Sequence, residues 1–257
     1  MQVPVLFEDE NVIVIWKPAG LDSQSSRGFG ADVVSELRRY IFCGNDGGNN
    51  VHRLPTKIST TSTKPPEPYV GVIHRLDKPV SGVMVYAKTP KAAAALSRQV
   101  ADGGMEKTYL AVVCGKVPCF GDNYVDYLLK DEKENCSRIV DKGISGAKRA
   151  VLSWKLLEQK ENALALLEIT LGTGRHHQIR VQLSGHGLPI WGDQKYNPQF
   201  AGRKETIALS AWKLAFAHPV TGRRMEFSRL PKNEIFHIFK TVDGNAAMHN
   251  LTADGAK

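Results

Sequence analysis

Apolar and polar positions alternate in short runs along most of the chain. Val3-Pro4-Val5-Leu6-Phe7 and Asn11–Trp16 read as two strands turned at Asp9-Glu10-Asn11. Lys17-Pro18-Ala19-Gly20 ends the second sharply, because proline cannot donate to a ladder and glycine permits the turn. Asp32–Phe42 carries Val33, Val34, Leu37 and Ile41 at helical spacing. Strands follow at Gly71–His74 and Val83–Ala87, then a helix from Pro90 to about Val100 with proline in its first turn, then a strand at Lys107–Val113. Lys148–Leu157 and Ala163–Leu171 alternate as a hairpin. Arg175–Ser184 is predicted as a helix with Gly185 at its C-cap. Ile207–Ala217 and Met225–Ser228 read as strands around the turn Pro219-Val220-Thr221-Gly222, and Asn233–Lys240 as a last short helix.

Scattered helices among many strands, with no regular βαβ unit and no internal repeat, point to an α+β fold on a largely antiparallel sheet. The periodic segments on both sides of 43–70 have similar character. That stretch is rich in Asn, Gly, Ser, Thr and Pro and lacks any period, so it reads as a loop insertion within one domain spanning 1–240. Residues 241–257 read as a flexible C-terminal tail.

The 257 residues hold 42% hydrophobic and 23% charged positions, which excludes a disordered, collagen-like or coiled-coil chain. No apolar run approaches the ~20 residues of a membrane helix, and no secretory signal opens the chain. Four cysteines without a C-x-x-C pair fit reduced thiols, and a cytoplasmic location is expected. The net charge of +8 changes the picture most, because it points to an anionic partner, nucleic acid first. Most of the surplus lies in residues 171–232, with ten basic side chains against three acidic ones, as a phosphate-facing surface would require.

Three constellations carry chemistry. His74-Arg75-Leu76-Asp77 ends an apolar strand just before Lys78-Pro79. A strand-end loop presents reactive groups on a rigid sheet, although an Asp in such a turn commonly bonds its own backbone. Gly172-Thr173-Gly174-Arg175-His176-His177-Gln178-Ile179-Arg180 runs a glycine-rich turn into the predicted helix; it lacks the spacing of a Walker motif. The adjacent His176 and His177 would point apart on a helix and so cannot easily share a metal ion. Ile179 and Leu183 lie one turn apart and face the core. Arg180 between them is therefore only partly exposed and needs an anionic partner, with Asp77 one candidate. In Glu106-Lys107-Thr108-Tyr109 the tyrosine opens a strand, where it either packs or stacks on a base.

In this order and at these separations the three resemble the RluA-type pseudouridine synthases from about Val5 to Phe239. The opening strand pair with its K-P-x-G turn at Lys17-Pro18-Ala19-Gly20, the His74–Asp77 loop followed by Ser81-Gly82, the K-x-Y at Tyr109, the motif Thr173–Arg180 and the segment Gly187–Asp193 with Tyr196 each match a family feature. The resemblance implies a mixed, mainly antiparallel central sheet flanked by helices, with a cleft across its middle. It implies a stand-alone catalytic domain without the S4-type domain many relatives carry.

The implied activity is that of an isomerase converting uridines in ribosomal or transfer RNA to pseudouridine, with no cofactor and no metal. Asp77 is its expected catalytic carboxylate, kept charged by Arg180. Tyr109 is expected to stack on the uracil, Arg75 to fill the space of the extruded base or bind phosphate, and Arg175 to contact phosphate at the cleft mouth. RNA is the expected partner, no membrane is involved, and a monomer is expected. The competing readings are a non-catalytic RNA-binding protein of the same fold and a glycoside hydrolase, which needs a second carboxylate that no motif supplies.

Overall fold

Strands joined edge to edge run through the whole protein, as the alternating pattern requires. A computed structural model describes residues 3–25, 31–43, 67–118 and 120–242. Most of the expected 43–70 insertion and of the tail, 44–66 and 243–257, lies outside the described residues. The elements among the described residues are β1 (Val5–Glu8), β2 (Val12–Lys17), α1 (Val33–Cys43), β3 (Gly71–Val72), β4 (Ser81–Ala87), α2 (Pro90–Ala101), β5 (Glu106–Cys114), β6 (Gly121–Asp131), β7 (Cys136–Val140), β8 (Lys148–Gln159), β9 (Leu164–Leu171), α3 (Gln178–Gly185), β10 (Leu209–Ala217) and β11 (Arg224–Ser228). They form one sheet in the order β1-β2-β4-β10-β5-β9-β8-β6-β7, with β3 added beside β4 and β11 beside β10. Every pairing is antiparallel except β4 with β10, which makes the sheet mixed and the fold α+β.

The left half of the sheet is covered on both faces, and the sequence shows why. All six residues of β2 are buried. Ile13 and Ile15 join the larger core with Val33, Val34 and Leu37 of α1. Val12, Val14 and Trp16 join a second core with Ala92 and Leu96 of α2. Alternation thus continues inside an apolar run, each parity meeting a different helix. Helix α2 starts where Thr89 caps it, its hydroxyl accepting from the Ala92 amide at 3.1 Å. Among the described residues no helix is long and apolar enough to cross a membrane.

Four expectations are corrected. The strand foreseen over Gly71–His74 pairs only through Val72, because the His74 imidazole accepts the Val85 amide at 3.2 Å in place of a ladder carbonyl. The hairpin of β6 and β7 was not foreseen at all. On β6, which lies between β8 and β7, only Tyr124 and Leu128 are buried, four residues apart, so the strand shows no clear two-residue alternation. The helix foreseen from Arg175 begins at Gln178, since His177 takes a left-handed φ of 52°. It runs through Gly185, its C-cap is His186, and the closing left-handed glycine is Gly187 (φ 79°): the Leu188 amide bonds the Leu183 carbonyl and the Gly187 amide bonds that of Ser184, a Schellman closure. The last helix is a 3-10 segment, Glu234–Ile238, capped by Asn233.

The two halves of the sheet meet along a short seam. β4 and β10 share only the pairs Ser210↔Ser81 and Ala211↔Gly82; further along, β10 pairs with β11 instead. Gly82 sits at φ 149°, and a Cβ there would lie 2.5 Å from both the Cβ and the carbonyl oxygen of Ala211. No side chain fits. Gly82→Ala is expected to destabilise the protein by at least about 3 kcal/mol in urea unfolding, from overpacking plus backbone strain. Gly103→Ala, equally left-handed (φ 76°) but facing open space, is expected to cost only about 1 kcal/mol.

Candidate active site

The seam opens on one side into a cavity of about 1160 Å³. Its wall on the β4 side is the loop 74–80, and several bonds fix that loop. Ser23 Oγ donates to the Leu76 carbonyl at 2.9 Å and accepts the Leu76 amide at 3.1 Å. The Val80 amide closes a turn on the Asp77 carbonyl at 3.0 Å. Lys17, fully buried, donates to the carbonyls of Pro18, Leu21 and Lys78 at 3.0, 2.7 and 3.1 Å. Burial pulls the Lys17 ammonium down to about 8, against the opposing charges of Asp22 and Asp77. The K-P-x-G turn therefore braces the loop that carries Asp77, a part the sequence reading had not given it.

The Asp77 carboxylate does not bond its own turn. Its Oδ2 accepts from Arg180 Nη1 at 3.2 Å, and His177 Nε2 lies 3.6 Å from the same oxygen. Among the described residues Oδ1 has no partner, and the side chain, 28% exposed, faces the cavity.

Arg180 is only 5% exposed, deeper than its spacing predicted. Asp193, with no exposure, holds the rest of the guanidinium: Nε donates to Oδ2 and Nη2 to Oδ1, both at 2.8 Å. Burial alone would lower the Arg180 pKa, but the bonds and charge of Asp193, and then of Asp77, hold it above its ordinary value. The Tyr196 ring lies 5.1 Å from the guanidinium carbon. Asp193 is a site residue the motif reading missed. The available signal was stoichiometric: five N–H donors taken out of water need more than one carboxylate.

The left-handed turn at His177 follows from Gln178. Gln178 Oε1 accepts from Thr173 Oγ1 at 2.7 Å and from the Arg175 amide at 2.9 Å, while its Nε2 donates to the Val151 carbonyl at 2.9 Å. His176 and His177 consequently stack at 3.8 Å instead of diverging as on a helix. Tyr196 Oη accepts the Ser137 amide at 2.7 Å and lies 2.9 Å from His177 Nδ1, to which its own proton is free to go. With the phenol donating to Nδ1, the imidazole proton sits on Nε2, the nitrogen that faces Asp77. Burial pushes His177 down to about 4, with Asp77 opposing, so the ring is neutral near pH 7.

Tyr109 lines the cavity floor, nearly buried on β5, its phenol pushed up by burial and then by the charge of Asp77. Arg75 is exposed at the cavity and makes no hydrogen bond or ion pair among the described residues. Arg175 is exposed at the rim, its Nε donating to the Arg149 carbonyl at 2.9 Å. All five foreseen site residues thus line one cavity, and Asp77 and Arg180 are joined by a hydrogen-bonded ion pair. The basic surplus of 171–232 does not form one face. Arg180 is buried, Arg224 pairs with Glu106 and Lys213 with Glu226, while Arg203 and Arg229 lie over Phe200 and Trp16. The cations at the cavity come from several segments: Arg75, Lys78, Lys107, Lys130, Arg175, Arg180 and Lys195.

Residues 11–185 match the profile of the family described as RNA pseudouridylate synthase. A ribosomal large subunit pseudouridine synthase D of Zymomonas mobilis is 30% identical over 93% of this chain and 72% of its own length. The protein of that name from Neisseria meningitidis serogroup B is 32% identical over 94% of this chain, which spans only 62% of that relative. Among solved structures, human RNA pseudouridylate synthase domain containing 1 superposes with a TM-score of 0.66 at 19% identity, covering 90% of this chain and 84% of its own; it shares the fold.

Two outcomes follow from the buried charges. Asp193→Asn strands a buried guanidinium and is expected to lower stability by about 3–5 kcal/mol in urea unfolding. His74, pushed down to about 3 by burial and by Lys107, and His177, at about 4, are both neutral in the folded chain, whereas their unfolded forms bind protons below the ordinary 6.5. Their contribution is therefore complete above pH 6.5 and is lost as pH falls from 6.5 toward 4. Unfolding free energy at pH 5 is expected to be at least about 2 kcal/mol below that at pH 7; a flat profile over this range would contradict the assignment.

Proposed function

The chain belongs to the RNA pseudouridylate synthase family, isomerases acting on uridines in RNA, and from that premise we propose that it converts specific uridines of ribosomal RNA to pseudouridine with Asp77 as the catalytic carboxylate. The ribosomal substrate rests on the names of the relatives, and transfer RNA is the other RNA to assay. The observation that carries the reading is the division of labour on Asp77: one oxygen is held by Arg180 and the other, unbonded among the described residues, faces the cavity.

A uridine inside a duplex cannot reach that oxygen, so the nucleotide must leave the stack, at a cost of roughly a few kcal/mol unless it is already unpaired. Arg75, exposed and without a partner among the described residues, fills the vacated space or holds a phosphate; Arg175 meets phosphate at the rim. The uracil stacks on Tyr109 and the ribose lies against Asp77. The N1–C1′ bond breaks, the uracil turns, and C5 bonds to C1′. N1 gains a proton and C5 loses one, so the reaction is an isomerisation with no donor and no redox change. Arg180 holds one oxygen of the carboxylate in place, while Asp193 pairs with the same guanidinium from behind.

Asp77→Asn keeps the shape of the side chain and removes its charge. It is expected to cut pseudouridine formation on rRNA from cells lacking the enzyme by at least about 10³-fold, while RNA affinity stays within a few-fold. Pseudouridine mapping on that rRNA reads the first and a filter-binding titration the second. Wild-type activity in the variant would end the assignment of Asp77 as the catalytic group; no pseudouridine from the unmutated protein would leave the non-catalytic RNA-binding reading in its place.

A further inference from the structure

Of the seven cations at the cavity, five are already engaged among the described residues. Lys78 pairs with Asp22, Lys130 with Glu132 and Arg180 with two aspartates, while Arg175 and Lys195 donate to backbone carbonyls. Arg75 and Lys107 are not. Water satisfies the exposed Arg75. Lys107 is different: it is half-buried, its ammonium has no hydrogen bond or ion pair among the described residues, and no carboxylate offsets the loss of water that depresses its pKa. An unpaired ammonium withdrawn from solvent is costly, and a cleft that keeps one is poised for an anion the protein does not supply.

Position identifies the anion. Lys107 and Tyr109 are two residues apart on β5, so both side chains leave the same face about 7 Å apart. This is the scale that separates a base from its own phosphate. Across from Lys107 stands Gly174, whose amide makes no hydrogen bond among the described residues; a Cβ on it would come within 3.8 Å of the Lys107 Nζ and cover that approach. We propose that Lys107, opposite the bare backbone of Gly174, is the seat of an RNA phosphodiester, the one attached to the nucleotide whose base lies on Tyr109. The proposal deepens the isomerase reading and rests on it for the identity of the base.

The test is binding without turnover. A fluorescein-labelled oligouridylate 12-mer is titrated by anisotropy between 50 and 200 mM KCl with the wild type, Lys107→Gln, Lys107→Arg and Gly174→Ala. Lys107→Gln should bind about tenfold more weakly at the lower salt, with the slope of log K against log [KCl] shallower by about 0.7, the share of one cation on a single strand. Lys107→Arg should keep the slope. Gly174→Ala, not left-handed at that residue and so tolerant of a methyl, should lose part of it. An unchanged slope in Lys107→Gln, or no measurable binding by the wild type, overturns the proposal; a changed affinity at constant slope means that the lysine meets an uncharged group such as a uracil carbonyl. Pseudouridine formation on rRNA is scored separately, so an inactive wild type that still shows the Lys107 salt effect would count against the isomerase reading alone.

Discussion

A guanidinium buried between two carboxylates organises this protein. Arg180 sits on the first turn of an eight-residue helix whose first six residues are all buried, so its charge cannot be answered by water. Asp193 answers it with two parallel bonds, and Asp77 with one. The first pair is structural, because Asp193 also accepts the amides of Lys195 and Tyr196 and so fixes the turn that follows. The second ties up a single oxygen and leaves the other to the cavity, as the catalytic role proposed for Asp77 requires. A pair buried on both sides would be inert, and one exposed on both sides would be screened to little effect.

The surrounding chain serves that arrangement from two directions. From one side of the seam come Lys17, Ser23 and the turn at Val80, which hold the Asp77 loop through its backbone. From the other come Gln178, Tyr196 and Ser137, which hold the left-handed His177 with its Nε2 facing the same carboxylate oxygen. Tyr109 lies between, on a central strand whose neighbours on both sides are paired. A braced loop and a central strand thus carry the groups proposed to meet the base and sugar, while the cations expected to meet the RNA backbone are long side chains at the cavity wall and rim.

Much of this was legible in the chain, for identifiable reasons. Ile179 and Leu183 one turn apart announced that Arg180 is withdrawn from water, and the alternation at Lys148–Leu171 announced a hairpin that the structure contains. Asp193 was not legible, because nothing local distinguishes an aspartate that receives a guanidinium thirteen residues away from one that caps a turn. The left-handed His177 depends on a glutamine side chain reaching back to Thr173 and Arg175, a tertiary device no helical periodicity reports. β6 hid for another reason: with only two of its eleven residues buried, its sequence carries too weak an apolar pattern to show a period. Charge misled in part, since a linear excess of arginine and lysine says nothing of how many will be spent on Glu106, Glu226 or an aromatic ring.

The two-pair junction at Gly82 has a consequence for how this protein ages under heat. Asp77 and its counter-ion arrive from opposite banks, and the stitching between those banks is far shorter than the ladders within either one. A drift of one bank against the other, too small to wet either core, already opens the distance on which the carboxylate's alignment depends. Such a fold loses its chemistry while its spectrum still looks native, and tightening the stitch, more than enlarging either core, is the route to a variant that works at higher temperature.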